Sequence, residues 1–348
     1  MIGIDLFCGA GGLSAGAVAA GIRIAVAVES DQHAVATYRT NHPGVKVLQQ
    51  DIRSLPDLPP ISSTQPTVIF GGPPCQGFST SNQRTRNAEN PHNLLYIDFL
   101  RHVRSVNPSF VVFENVKGFI ETERGFFFSA VVRELERLGY RVEHAVLNAT
   151  DFSVPQRRSR LFIVGSRADG QLFPKPTTDR PTTVADAISD LPDLPNGAAI
   201  PQTRYGTKPK SDYSRLLRGD CETCTNNYVT KNADYVVERY SFIPPGGNWR
   251  CIPEHLMSNY SDRARCHDGI YHRLSWGHPS IVIGNYRKNM LVHPSANRGL
   301  SVREAARLQS FADSYFFTGS IGFQQQQVAN AVPPLLGKAV FRQLGNCS

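Results

Sequence analysis

Ile2-Gly3-Ile4-Asp5-Leu6-Phe7-Cys8-Gly9-Ala10-Gly11-Gly12-Leu13 is the stretch that decides the fold. The apolar residues up to Phe7 read as a strand, the glycines as a tight turn, and residues 13–20 as a helix ended by Gly21. A glycine-rich turn between strand and helix lets a ligand approach the backbone, so it reads as a nucleotide-binding turn. Its spacing, Gly-x-Gly-Gly, differs from the Gly-x-Gly-x-x-Gly that wraps a pyrophosphate, which favours an adenosyl ligand without phosphates. Glu29 ends the second expected strand, where a carboxylate can hold both hydroxyls of a ribose. Asp51 ends the third, placed to accept from an adenine amino group. Helix N-capping is the alternative for both acids.

Working outward, strands are expected at residues 2–7, 22–28, 45–49, 67–70, 109–113, 141–147 and 161–165. Helices are expected at 13–20, 31–40, 94–106 and 127–138. This alternation predicts an α/β fold with a doubly wound, mostly parallel seven-stranded sheet. After Gly165 the rhythm stops, and residues 173–201 hold six prolines, which reads as a domain boundary. A smaller, loop-rich lobe follows to about residue 300. The helical pattern then returns in Ser301-Val302-Arg303-Glu304-Ala305-Ala306-Arg307-Leu308, with Ser301 and Glu304 forming a capping box. The expected organisation is therefore 1–179, 180–300, and a return segment 301–348 that completes the first domain.

The chain has 348 residues, 41% hydrophobic and 19% charged, and no apolar run of membrane-spanning length. Its start lacks a signal-peptide pattern, so a cytoplasmic protein with no membrane association is expected. Seven cysteines argue for reduced thiols. The net charge of +8 is concentrated: residues 151–300 carry 20 Lys and Arg against 14 Asp and Glu, whereas residues 1–150 are balanced at 13 each. A basic middle suits nucleic acid, with a solvated surface as the alternative. Arg204, Lys208, Lys210, Arg215 and Arg218, interleaved with Tyr205 and Tyr213, make a phosphate-contacting stretch. Cys221 and Cys224 with Cys251, Cys266 and His267 lack a second tight pair, so no metal is assigned.

Chemistry is most legible in Pro73-Pro74-Cys75-Gln76, delivered by the apolar run from Val68 to Phe70. Two prolines stiffen the turn and Gly72 and Gly77 allow close approach, a setting for a nucleophile rather than a packing cysteine. Glu114 follows the apolar strand Phe110-Val111-Val112-Phe113. Glu29, Asp51, Cys75 and Glu114 thus all fall at carboxyl ends of strands, where open α/β sheets bind ligands. Gln156-Arg157-Arg158-Ser159-Arg160 precedes another strand and can bind an oxygen on a heterocycle or a phosphate.

With these blocks the sequence resembles the DNA cytosine-5 methyltransferases of bacterial restriction-modification systems. The matching runs are Asp5 to Gly12, Gly72 to Ser79, Glu114-Asn115-Val116, Gln156 to Arg160, Ser301 to Gln309, and Asn330-Ala331-Val332-Pro333-Pro334, in the family's order. The resemblance implies a class I methyltransferase that uses S-adenosylmethionine and double-stranded DNA. Cys75 would add to carbon 6 of a flipped-out cytosine, Glu114 with a raised pKa would protonate N3, and Arg160 aided by Arg158 would hold O2. Phe7 would stack on adenine, Glu29 would hold the ribose and Asp51 the adenine amino group, and Asn330 would shape the site. With Asp5, Gly9, Gly11, Gly12 and Pro73 they form the expected cofactor site. Ser79, Ser81, Arg84 and Arg86 match a loop that closes over DNA, and residues 180–300 match the target recognition domain, with Arg204, Lys208 and Lys210 as further DNA contacts.

Two departures stand out. The closing loop reads Asn90-Pro91-His92-Asn93 where the family carries an Asp-x-Arg element, and Ala329 stands where a glycine is usual before Asn330. Neither touches Cys75 or Glu114. An RNA cytosine methyltransferase on the same scaffold and a silent DNA-binding regulator are the competing readings. Expected partners are duplex DNA and a restriction endonuclease acting on the same site. A stand-alone, monomeric prokaryotic or phage enzyme is the expectation.

Overall fold

The computed structural model describes residues 1–58, 64–74, 94–178, 180–258, 268–284, 286 and 291–347. The chain forms two compact units, one of residues 1–152, 159–176 and 334–348, the other of 153–158 and 177–333.

The first unit is built on seven strands: β1 (Ile2–Leu6), β2 (Arg23–Glu29), β3 (Lys46–Gln49), β4 (Thr67–Gly71), β5 (Phe110–Val116), β6 (Arg141–Asn148) and β7 (Ser159–Ser166). Their order is β3-β2-β1-β4-β5-β7-β6. The first five are parallel, and β7 runs antiparallel to both β5 and β6. Every residue of β1 is buried, as a central strand covered on both faces requires. Around the sheet lie α1 (Gly12–Ala19), α2 (Gln32–Asn41), α3 (Leu95–Val106) and α4 (Phe126–Arg137). Strand order reverses between β1 and β4, so the turns that follow these two neighbours open side by side at the sheet's switch point. Their register pairs Leu6 with Gly71. A Cβ on Gly71 would lie 1.9 Å from the Leu6 carbonyl oxygen, which restricts this position to glycine.

The second unit contains α5 (Val184–Ile188), the antiparallel pair β8 (Ala199–Arg204) and β9 (Thr223–Tyr228), α6 (Asp212–Arg218), and α7 (Asp234–Ser241). The pair β10 (His272–Arg273) and β11 (Leu291–Val292) follows, then α8 (Val302–Leu308) and α9 (Ile321–Asn330). Helix α8 is buried at every position, and Ser301 and Glu304 form the expected capping box. Its charges are paired. Arg298 clamps Glu304 with two bonds of 2.8 Å. Arg307 binds Asp313 at 2.5 and 2.6 Å and Asp190 at 3.1 Å. Tyr205 donates to the same Asp313 carboxylate, and the Arg218 guanidinium lies 3.6 Å from the Tyr205 ring centroid. The loop from Ile243 to Arg250 is tied down by Arg273, which donates to the carbonyls of Tyr240, Ile243 and His293.

These pairs tie the return segment to the elements that precede it. Residues 301–333 are bound by α8 to Asp190 and Arg298 and cluster with the second unit. The return to the first unit begins at Pro334, with α10 (Pro334–Leu344). Helix α10 crosses α1 so closely that a Cβ on Gly16 would meet the Pro334 carbonyl oxygen at 2.7 Å. Among the described residues, no helix is long and apolar enough to cross a membrane.

Candidate active site

The glycine turn is shaped from both sides. Phe7 leaves β1 with φ of 62°, a left-handed conformation uncommon for a bulky residue and characteristic of functional turns. Gly9 and Gly11 follow at 52° and 90°. A Cβ on Gly9 would meet nothing within 4 Å, so the turn opens onto free space. Glu29, at the end of β2, accepts from the Gly9 amide at 2.9 Å, the Ser30 amide at 2.8 Å and the Asp31 amide at 2.9 Å. Its carboxylate therefore braces the turn rather than capping α2. Capping falls to Asp31, which accepts from His33 and Ala34.

Beneath the turn, Asp5 is buried and accepts from Ser14 at 2.7 Å. Desolvation pushes its pKa well up, the Ser14 bond opposes that, and the Glu29 charge adds to it. Asp5 therefore sits under the turn, inside the fold. Cys8 is also buried, and desolvation pushes its thiol pKa up, the reverse of a reactive cysteine.

Asp51 shows the capping alternative. It caps the short 3-10 helix Ile52–Ser54 and chelates the Arg53 guanidinium at 3.0 and 3.1 Å through Nε. An adenine amino group would share a carboxylate already engaged by Arg53.

Around the second turn, β5 runs on past Phe113 and carries Glu114 and Asn115 to a position beside Gly72 and Pro73. Asn115 Nδ2 donates to the Pro73 carbonyl at 3.3 Å. A Cβ on Gly72 would lie 2.4 Å from Glu114 Oε2, so glycine is what admits the carboxylate here. Arg160, at the start of β7, places Nε 2.9 Å from Glu114 Oε1, with both side chains largely buried. This arrangement orients a carboxyl group and a guanidinium together beside Gly72. Gly72, expected from the sequence to allow close approach, does so for the Glu114 carboxylate, while Asn115 stands out in the sequence only within the Glu114-Asn115-Val116 run.

Arg158 is placed differently from its neighbour. It belongs to the second unit, is 2% exposed, and donates to the carbonyls of Ile283 at 3.1 Å and Ala329 at 2.8 Å. Gln156 is likewise buried, bonded to Gln309 at 2.9 Å and to the Ile283 amide. Arg158, expected to aid Arg160, thus lies just before β7 begins at Ser159, with its guanidinium bonded to these two carbonyls. Asn330 ends α9 at an exposed position. Arg204 and Lys208 are exposed, while Lys210 donates to the Ser189 carbonyl at 2.8 Å. Cys224 is buried and bonded to Asn227 at 3.0 Å, and the described residues include no cluster with metal-ligand geometry. Cys75, Ser79, Ser81, Arg84, Arg86, Cys266 and His267 lie outside the described residues.

Comparison with known proteins agrees with this architecture. The family model for C-5 cytosine-specific DNA methylases matches residues 1–346. The Type II methyltransferase M1.HphI of Haemophilus parahaemolyticus is 38% identical over 343 residues, covering 97% of this chain and 84% of that one. M.DdeI of Desulfomicrobium norvegicum is 34% identical over 98% of this chain and 88% of its own length. In three dimensions, the S. pombe Dnmt2 methyltransferase superposes with a TM-score of 0.59 at 15% identity, covering 99% of each chain, a likeness of fold.

Proposed function

The chain belongs to the C-5 cytosine-specific DNA methylases, and from that premise we propose that it methylates carbon 5 of a flipped-out cytosine in a short duplex DNA sequence through a Cys75 adduct. The observation that carries this reading is the Glu114–Arg160 pair beside Gly72-Pro73-Pro74, at strand ends adjoining the glycine turn. Methylases of this fold use S-adenosylmethionine, which supplies an electrophilic methyl group when bound. The residues present fit it: an open turn at Gly9, the Glu29 carboxylate beside it, and Phe7 turned out of its strand.

The Cys75 thiolate adds to carbon 6, converting carbon 5 into a nucleophile. Freed from Arg160 by the entering base, the Glu114 carboxylate takes up a proton from solvent and gives it to N3 as charge develops on the ring, receiving it back at elimination, while Arg160 holds O2. The ion pair opens as the base enters, so that each partner exchanges the other for the pyrimidine edge. Once carbon 5 is methylated, its proton leaves and Cys75 is expelled by elimination, which restores the thiolate. A base inside the stack is out of reach of these groups, so the cytosine is extruded.

Ser79, Ser81, Arg84 and Arg86 close over the DNA. Residues 180–300, with Arg204, Lys208 and Lys210, read it in the major groove. Asp51 completes the cofactor's surroundings. As with its Type II relatives, the chain works as a modification enzyme, as a cytoplasmic monomer protecting sites cut by a cognate endonuclease. Transfer of radiolabelled methyl groups from S-adenosylmethionine to purified duplex DNA and to tRNA tests the reading. Label in 5-methylcytosine of DNA supports it, and label confined to tRNA overturns it.

A further inference from the structure

Tyr38 has no part in the chemistry above, yet its hydroxyl is aimed at the floor of the glycine turn. It lies in α2, fully buried beside Cys8 and Ala27. Its oxygen is 2.7 Å from Ser14 Oγ, and Ser14 Oγ is 2.7 Å from Asp5 Oδ2. A serine hydroxyl has one proton, and where it is directed at Asp5 its oxygen is left to accept from Tyr38. One helical turn beyond Tyr38, the His42 ring stacks on it at 4.4 Å between centroids and is hydrogen-bonded to the Gly11 backbone. Tyr38 and the C-cap of its helix therefore reach the strand–turn–helix segment at two points, Tyr38 at Ser14 just after the glycines and His42 at Gly11 among them. The same helix follows directly on Glu29, which holds the Gly9 amide.

We propose that Tyr38 is a positioning residue for S-adenosylmethionine, its hydroxyl acting through Ser14 and Asp5 to fix the glycine turn in the shape that receives the adenosyl group. The proposal rests on the reading of that turn as the cofactor site. A buried phenol serving packing alone would need only its ring. Here the hydroxyl terminates a directed chain that ends on the last acidic residue before the turn, inside the core, where hydrogen bonds are strong and their loss costly.

The test is calorimetric binding of S-adenosylmethionine to wild type, Tyr38→Phe, Ser14→Ala and the double variant, with KM for cofactor and for DNA. Tyr38→Phe keeps the ring and its contact with His42. It should weaken cofactor binding by about fivefold to tenfold, raise KM for the cofactor, leave KM for DNA unchanged, and lower the melting temperature by only about 1–4 °C. The double variant should bind no more weakly than the weaker single variant, because both break one chain. A Tyr38→Phe affinity within twofold of wild type, or additive losses in the double variant, overturns the proposal. If Tyr38→Phe is too unstable to assay, Ser14→Ala carries the same expectation. Wild-type protein without affinity for S-adenosylmethionine would overturn the cofactor reading itself, whereas wild-type affinity retained in Tyr38→Phe overturns this proposal alone.

Discussion

Arg160 and Glu114 meet because of strand register: β5 and β7 run antiparallel with Glu114 opposite Phe162 and Val116 opposite Arg160, which puts the two charges on one face, diagonal to each other. Their 2.9 Å contact is thus fixed by backbone pairing rather than by side-chain reach. Glu114→Gln keeps the shape and removes the group proposed to protonate N3. Single-turnover methyl transfer should fall by about 10²-fold or more with DNA and cofactor binding retained. Arg160→Lys, which keeps charge without the planar fork, should fall by a similar order. An unchanged rate in Glu114→Gln would remove its assigned part in the reaction.

Gly72→Ala addresses the same carboxylate from behind. The added methyl would sit 2.4 Å from Glu114 Oε2, so the carboxylate or the turn that delivers Cys75 must shift. The expected result is at least a tenfold loss of activity with a destabilisation of only about 1–3 kcal/mol. Full activity at full stability would show that the turn has more room than this geometry allows.

Asp313 anchors Arg307 and Tyr205 inside the second unit with no exposure of the ion pair. Asp313→Asn leaves a buried guanidinium short of its counter-charge. Denaturant unfolding should show a loss of about 3–5 kcal/mol. A loss under 1 kcal/mol would mean that Asp190 can neutralise Arg307 alone.

His102 is buried in α3, and both its ring nitrogens lack a hydrogen-bond partner among the described residues. Desolvation, helped by Arg101 and opposed by Asp57, lowers its pKa from 6.5 to about 4. Below pH 6.5 the unfolded chain takes up a proton that the folded one refuses, so stability falls as pH drops from 6.5 towards 4. His42, also lowered to about 4, acts in the same window. His102→Leu should reduce the slope of stability against pH there and match or exceed wild-type stability at pH 7. A destabilised variant at pH 7 would mean that the imidazole fills its site better than an alkyl group does.

Much of the first unit was legible because its strands are apolar runs ended by glycines and acids. The seven observed strands lie within a few residues of the expected ones. The antiparallel β7 was not read, although residues 149–158 are too few for the crossover a parallel strand needs. Strand β5 outlasts its apolar run because Glu114 and Asn115 keep pairing with Phe162 and Leu161. Arg158 and Arg160 look equivalent in sequence, yet the strand begins between them, and only Arg160 shares a face with Glu114. The buried charges of α8 were legible as a capping box, but their partners Asp190 and Asp313 are far away in sequence or beyond the helix. The Tyr38–Ser14–Asp5 chain joins three elements, a proximity that local pattern does not reveal.

Under the proposed function, this chain methylates carbon 5 of cytosine in DNA with Cys75 as nucleophile. Bisulphite sequencing of the genome of a host lacking cytosine methylation, expressing either wild type or Cys75→Ser, tests it most directly. Protected cytosines confined to one short motif are expected with wild type, and none with the variant. Fully converted DNA from well-expressed wild-type protein, or the same protected motif with Cys75→Ser, would contradict it.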